Sequence, residues 1–219
     1  MRKIKGLFIM AACFAFMLSG LTTAADEVTT LIKQGEKSYT DKQYKESIKF
    51  LNQAAKKIHD LLAQKLASFL PKEIDGWTRG EVKTETLGDA GGQFMLFAGF
   101  FSAHVSYQKP NGPEKVKVTI TNAPQLTQMA KIPMELVKNP FFKQMAQEDD
   151  KGEKVDTYTV QGMDGYTRTG KAAKESNIFV FQGDVMLQVE GKNIIKYERL
   201  EKFVKKSDLK GIKQFAGTP

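Results

Sequence analysis

Between Phe101 and Thr121 apolar and polar residues alternate almost without interruption. On the outgoing limb Phe101, Ala103, Val105 and Tyr107 take one side, with Ser102, His104 and Ser106 on the other. The return limb, Glu114 to Thr121, sets Val116, Val118 and Ile120 against Lys117, Thr119 and Thr121. A period of two marks strands buried on one face. Lys109-Pro110-Asn111-Gly112-Pro113 supplies the reversal, so the pattern predicts a β-hairpin. A second hairpin is predicted where Ile178 to Phe181 and Val185 to Val189 flank Gln182-Gly183-Asp184. Weaker strand signals cover Glu81 to Leu87, Asp156 to Val160 and Tyr166 to Arg168, with a turn over Gly162 to Gly165.

Elsewhere the apolar spacing switches to threes and fours. Leu31, Ile32 and Tyr39 define one helix face, and Tyr44, Ile48, Leu51, Ala55, Ile58, Leu61 and Leu62 a second. Thr40-Asp41-Lys42-Gln43 between them reads as a capping box. A two-helix unit has too little core to stand alone, so this stripe calls for a cover from its own domain or a partner. After the first hairpin, residues 122–147 read as a helix opened by Asn122 and Pro124 and broken into two or three pieces by Pro133 and Pro140. Leu126, Met129, Ile132, Met134, Val137, Phe141 and Met145 are expected to face the sheet. A Met-bearing helix face can also serve as a promiscuous binding surface, although packing is its commoner use. At the end of the chain Ile194, Ile195, Tyr197, Leu200, Phe203 and Val204 form one face, and Ser207 caps a last turn carrying Leu209, Ile212 and Phe215.

Consecutive hairpins followed by helices imply the α+β class. The expected layout is an N-terminal helical hairpin, then a mainly antiparallel sheet packed with mid-chain and C-terminal helices. Leu70-Pro71 and Gly76-Trp77 mark the join, because Pro disfavours helix in the residue before it and Gly permits a turn. Trp77, the sole tryptophan, reads as a core plug there. The expected divisions are 1–25, 26–69 and 70–219.

The first of these divisions is a leader. Met1 to Lys5 is basic, Gly6 to Leu21 is apolar, and Thr22-Thr23-Ala24-Ala25 supplies small residues before Asp26. That is the three-part layout of a secretory signal peptide, with cleavage expected after Ala25 or one residue earlier. The apolar run falls short of the roughly 20 residues needed to span a membrane. A lipoprotein reading through Cys13 would leave Phe14 to Leu21 on the product and is the weaker one. Cys13 is the only cysteine, so the exported chain would have neither disulfide nor thiol. No later stretch is a transmembrane candidate, and the expected location is the bacterial periplasm.

Composition changes little in this picture. A chain of 219 residues with 41% hydrophobic and 26% charged residues is ordinary globular material. The formal charge of +8 loses Arg2, Lys3 and Lys5 with the leader, leaving +5. The remaining lysines are interspersed with acids and lack interleaved aromatics, which argues against nucleic acid as a partner.

The helical hairpin resembles one tetratricopeptide repeat over residues 28–61. Gly35 stands at the small position of its first helix, with Ser47, Leu51 and Ala54 at the small, large and small positions of its second. Leu31 replaces the usual Trp, and a single unit falls short of the roughly three that build a stable solenoid. Over residues 70–215, the Leu-Pro and Gly-Trp opening, the Gly-rich loop, the paired hairpin-plus-helix blocks and the Asp-Leu-Lys ending resemble a group of exported bacterial proteins of uncharacterised role. That resemblance implies an α+β fold and an envelope location, and no activity. By layout the sheet region is also distantly similar to the photosystem extrinsic proteins.

Few residues in the sequence point to chemistry. His59 and His104 fall in separate modules without ligand-like partners at metal spacing, and surface or hydrogen-bonded structural roles suit both. No Gly-x-Ser-x-Gly elbow is present, and Gly88-Asp89-Ala90-Gly91-Gly92 lacks the Lys-Ser/Thr of a phosphate loop. The acidic run Glu148-Asp149-Asp150 with Glu153 lacks the ligand alternation of a calcium loop. No catalytic residue, metal ligand or cofactor is therefore assigned. The expected function is a non-catalytic interaction protein of the cell envelope. The alternative is a binder of an apolar ligand or lipid through Phe94, Leu96, Phe97, Phe100 and Phe101, although such short apolar runs are more often core.

Overall fold

A computed structural model describes residues 26–86, 100–139, 153–170, 172 and 174–217. The expected leader, the acidic run 148–150, and Phe94, Leu96, Phe97, Phe141 and Met145 lie outside these residues.

Within the described residues the fold is α+β. Seven strands form one antiparallel sheet: β1 (Thr78–Thr86), β2 (Phe101–Gln108), β3 (Lys115–Asn122), β4 (Glu153–Val160), β5 (Met163–Gly170), β6 (Glu175–Gln182) and β7 (Val185–Lys192). Their order is β1-β2-β3-β7-β6-β5-β4, so two meanders meet along β3 and β7. The helices are α1 (26–40), α2 (Tyr44–Ser68), α3 (Pro124–Lys138), α4 (Glu201–Lys206) and α5 (Leu209–Ala216).

Alternation places the core. Val105, Val118, Val189 and Ile178 are successive register partners across β2, β3, β7 and β6, and all are fully buried. On this face Leu66, Phe69 and Leu70 join Leu200, Phe203, Val204, Leu209 and Ile212 in one apolar cluster. Trp77 packs at the cluster's margin, edge-on to Phe203 at 5.2 Å, with the Lys202 and Lys109 ammonium groups over its ring. The opposite sheet face carries a smaller cluster of Tyr166, Phe181 and Met186 with Met134 of α3. Thr127 donates to the Asp184 carbonyl and Lys131 to the Gly183 carbonyl, which fixes α3 beside the β6–β7 turn.

The reversal expected over Gly162 to Gly165 is instead the two-residue turn Gln161-Gly162, where both φ angles are positive (48° and 74°). This pairing of conformations matches the twist of tight hairpins. Gly165 consequently lies inside β5.

Four further expectations are corrected. The helix after β3 is one unbroken segment through Pro133, with Ala123 at its N-cap; Asn122 instead ends β3, paired with Phe101 and Val185. Its apolar residues occupy two opposite sides, and only one can meet the sheet. Thr127, Met134 and Val137 are buried, whereas Leu126, Met129 and Ile132 point away. Thr40 does not cap α2: its hydroxyl donates back to the Glu36 carbonyl and closes α1. Asp208, not Ser207, caps α5, its carboxylate accepting from the Gly211 amide at 2.8 Å, while Ser207 donates to the Phe203 carbonyl.

The described residues divide into two compact units, one ending at His59 and the other beginning at Asp60. The division falls inside α2, ahead of the expected break at 69/70, because Ala63 and Leu66 belong to the sheet unit's core.

Candidate functional site

In the unit ending at His59, α1 meets the first half of α2 through small residues. Gly35, Ser38, Ser47 and Ala54 are buried, and the Gly35 backbone lies directly against the Leu51 side chain. Glu27 and Lys57 form an ion pair at 2.8 Å, and the Tyr39 and Tyr44 rings meet edge-to-face near the turn. These contacts tie the two helices at both ends and at the centre.

Small residues at a helix interface allow close approach, and they leave the large apolar residues elsewhere on the helix. Tyr44, Ile48, Leu51 and Ile58 follow one another at spacings of four, three and seven, with Ala55 filling the gap. At 100° per residue these five fall within one narrow arc of α2. All are exposed, Ile48 to 60%. Tyr39 and Ile32 add exposed apolar surface on α1. The same rotation puts α1 along one flank of the stripe and Lys45, Lys49 and Lys56 along the other. From residue 44 to 58 the stripe runs about 21 Å at 1.5 Å per residue. An apolar seam of this length, bordered by cations, suits an amphipathic helix carrying acids beside its own apolar face.

The unit from Asp60 onward has a comparable feature. Leu126, Met129, Ile132 and Leu136 form an exposed side of α3, with Met129 67% accessible. A helix apolar all round is ordinarily buried on all sides. This one is covered on one side only among the described residues.

Of the five candidate contacts in the phenylalanine-rich segment, two fall in the described residues. Phe101 is core, 4% exposed, with its ring 6.1 Å from Phe215 of α5. Phe100 is half-buried. Phe94, Leu96 and Phe97 lie outside the described residues.

The fold brings together one set of residues with a catalytic flavour. Glu85 of β1 faces Ser102 and His104 of β2: the Ser102 hydroxyl donates to Glu85 Oε2 at 3.5 Å, and His104 Nδ1 is 3.8 Å from Oε1. Burial pushes the His104 imidazole below its ordinary value, helped by the nearby Lys117, so the neutral form is favoured. A serine nucleophile needs its base as hydrogen-bond partner. Here the Ser102 hydroxyl donates its hydrogen bond to the Glu85 carboxylate, and the His104 ring lies near that carboxylate at more than hydrogen-bond distance, so the serine is not bonded to the histidine. His59 lies on α2, away from this set in the sequence. Among the described residues no group of three or more His, Cys, Asp or Glu side chains is placed to hold a metal ion, and no helix is long and apolar enough to cross a membrane.

No family model and no curated protein matches the chain. Among solved structures the chain is similar to the extracellular domain of PknH from Mycobacterium tuberculosis. That similarity has a TM-score of 0.40 and 13% identity, over 69% of this chain and 96% of that one.

Proposed function

We propose that the chain is an exported, non-catalytic interaction protein of the bacterial envelope that holds a helical segment of a protein partner on its N-terminal hairpin. One observation carries the reading: Tyr44, Ile48, Leu51 and Ile58 form an apolar stripe that stays exposed in its own unit, with α1 touching only its edge through the Tyr39–Tyr44 and Gly35–Leu51 contacts. The resemblance of the hairpin to a tetratricopeptide unit supports it, since stacked units of that family bury such a stripe against a neighbouring helix. The leader-like N-terminus supports export, with the periplasm as destination. A lipid- or ligand-binding reading through the phenylalanine-rich segment has less behind it, because Phe101 belongs to the core.

The test is site-specific photocrosslinking from position 48 in the native envelope. One protein captured in stoichiometric yield, and lost in a Tyr44→Asp background, supports the proposal. Capture of lipid, or capture unchanged by Tyr44→Asp, overturns it.

A further inference from the structure

On the sheet face opposite the main core, the ends of β1, β2, β3 and β7 form a trough of about 470 Å³. Its floor and sides include Thr78, Ser106, Lys115, Lys117, Glu190 and Lys192. Arg79 of β1 also lines it, and the three lysines come from two strands distant in sequence. Lys115 and Lys117 are two apart on β3 and so share a face, and Lys115 is the direct register partner of Lys192 on β7. Like charges placed directly opposite across an antiparallel pair are destabilising. The trough contains a single carboxylate, Glu190, which is the register partner of Lys117 and lies 3.7 Å from Lys192; Lys192 also has Glu175 opposite it on β6. Lys115 and Lys117 form no ion pair among the described residues, and both are exposed. The Ser106 hydroxyl, cross-strand from Lys117, adds a donor. At the β1 side a register shift between Arg79 and Val82 brings Gly80 into the wall, where a Cβ would sit 3.1 Å from the Ser106 carbonyl. Bulges of this kind recur beside functional sites, where they re-aim the strand.

The spacings favour convergence on one ligand. Register partners stand about 4.5–5.5 Å apart and same-face neighbours about 7 Å apart. A four-carbon lysine stem spans either gap, so three ammonium groups can meet one anion. A compact lysine charge binds phosphate as a point charge without demanding the planar geometry of arginine. The volume lies within the range of small-molecule sites.

We propose that this trough binds a ligand bearing adjacent phosphate groups, held by Lys115, Lys117 and Lys192 with Ser106 as an additional donor. An anion there offsets the positive charge of Lys115 and Lys117 beyond what Glu190 supplies, and the mostly apolar lining leaves room for the rest of the molecule. The proposal is independent of the hairpin's role.

The experiment titrates the purified protein with inorganic pyrophosphate at low ionic strength by calorimetry. A parallel arm measures co-sedimentation with phosphatidylcholine vesicles containing cardiolipin, whose headgroup carries two phosphates. The variants are Lys115→Gln, Lys117→Gln and their double, with Lys33→Gln as a control for net charge. The expected result is saturable binding, weakened roughly five- to tenfold by each trough substitution and hardly by Lys33→Gln. Binding should also weaken steeply with salt. Pyrophosphate binding identifies a free phosphorylated ligand, and vesicle binding with the same lysine dependence identifies a lipid headgroup. A second readout guards against misfolding: Lys115→Gln should melt no lower than the parent without ligand and lose the pyrophosphate-induced rise in Tm. Absence of binding in both arms, or binding that falls equally with Lys33→Gln, overturns the proposal.

Discussion

A Cβ on residue 35 would stand 2.9 Å from both Cγ and Cδ2 of Leu51, closer than carbon atoms pack, so the hairpin closes only because Gly35 has no side chain. Helix propensity pulls the other way, since Ala is favoured over Gly by about 1 kcal/mol in a helix interior. Overpacking outweighs it, at typically about 1–3 kcal/mol. Gly35→Val, which adds a β-branched group to the same clash, should destabilise the hairpin by about 2 kcal/mol. Leu51→Ala should recover part of that loss. A denaturant double-mutant cycle is expected to return a coupling above about 0.5 kcal/mol, and additivity would show that the contact does not hold the helices together.

Gly165 poses the same question in the sheet. A Cβ there would collide with the Phe179 carbonyl oxygen on the neighbouring strand, a backbone atom that cannot swing aside. Gly165→Ala should therefore break the β5–β6 ladder and cost more than about 3 kcal/mol, among the larger single-residue effects. Gly162→Ala, at a positive φ but with only the flexible Lys213 ammonium in ordinary contact at 3.6 Å, should cost only about 1 kcal/mol. Thermal melts of the two variants compare these directly.

Where local pattern sets the structure, the sequence is readable. The alternation of Val116, Val118 and Ile120 placed β3 and its buried face, and the Gly183 turn placed β6 and β7. The stripe from Tyr44 to Ile58 was legible as a helix face, and its need for a cover followed from the small size of the unit. Its small-residue interface was legible only through resemblance, because Gly35 and Ser47 carry no hydrophobic signal. The orientation of α3 was not readable. Residues 126, 129, 132 and 136 are apolar, and so are 130, 134 and 137, so periodicity selects neither side. The lysine trough was hidden for a different reason: it exists because β3 pairs with β7, a non-local register that brings Lys115 opposite Lys192. Scattered lysines in the sequence read as ordinary solvated surface.

The orientation of α3 makes its own prediction. Met129→Lys and Ile132→Lys replace exposed side chains and should change stability by no more than about 0.5 kcal/mol. Met134→Lys places a charge in the cluster with Tyr166, Phe181 and Met186 and should cost more than about 3 kcal/mol. Equilibrium urea unfolding measures all three. Equal losses at 129 and 134 would mean that the helix is buried on both sides.

Two tyrosines give the protein a defined alkaline weakness. Burial pushes the hydroxyls of both Tyr158 and Tyr166 from 10.0 up to about 12, assisted at Tyr158 by Glu201. Tyr166 lies stacked on Phe179, with ring centroids 4.6 Å apart. A folded-state pKa above the unfolded value means that the folded chain holds its proton more tightly than the unfolded chain does. Stability from this source is complete below pH 10 and is lost as pH rises from about 10 to about 12, where the unfolded chain ionises first. Ultraviolet titration should show part of the tyrosinate signal delayed relative to the unfolded protein. Tyr166→Phe keeps the aromatic stack and removes the ionisable group, so its stability should fall less steeply over the same interval. An identical slope in Tyr166→Phe would place the alkaline loss elsewhere.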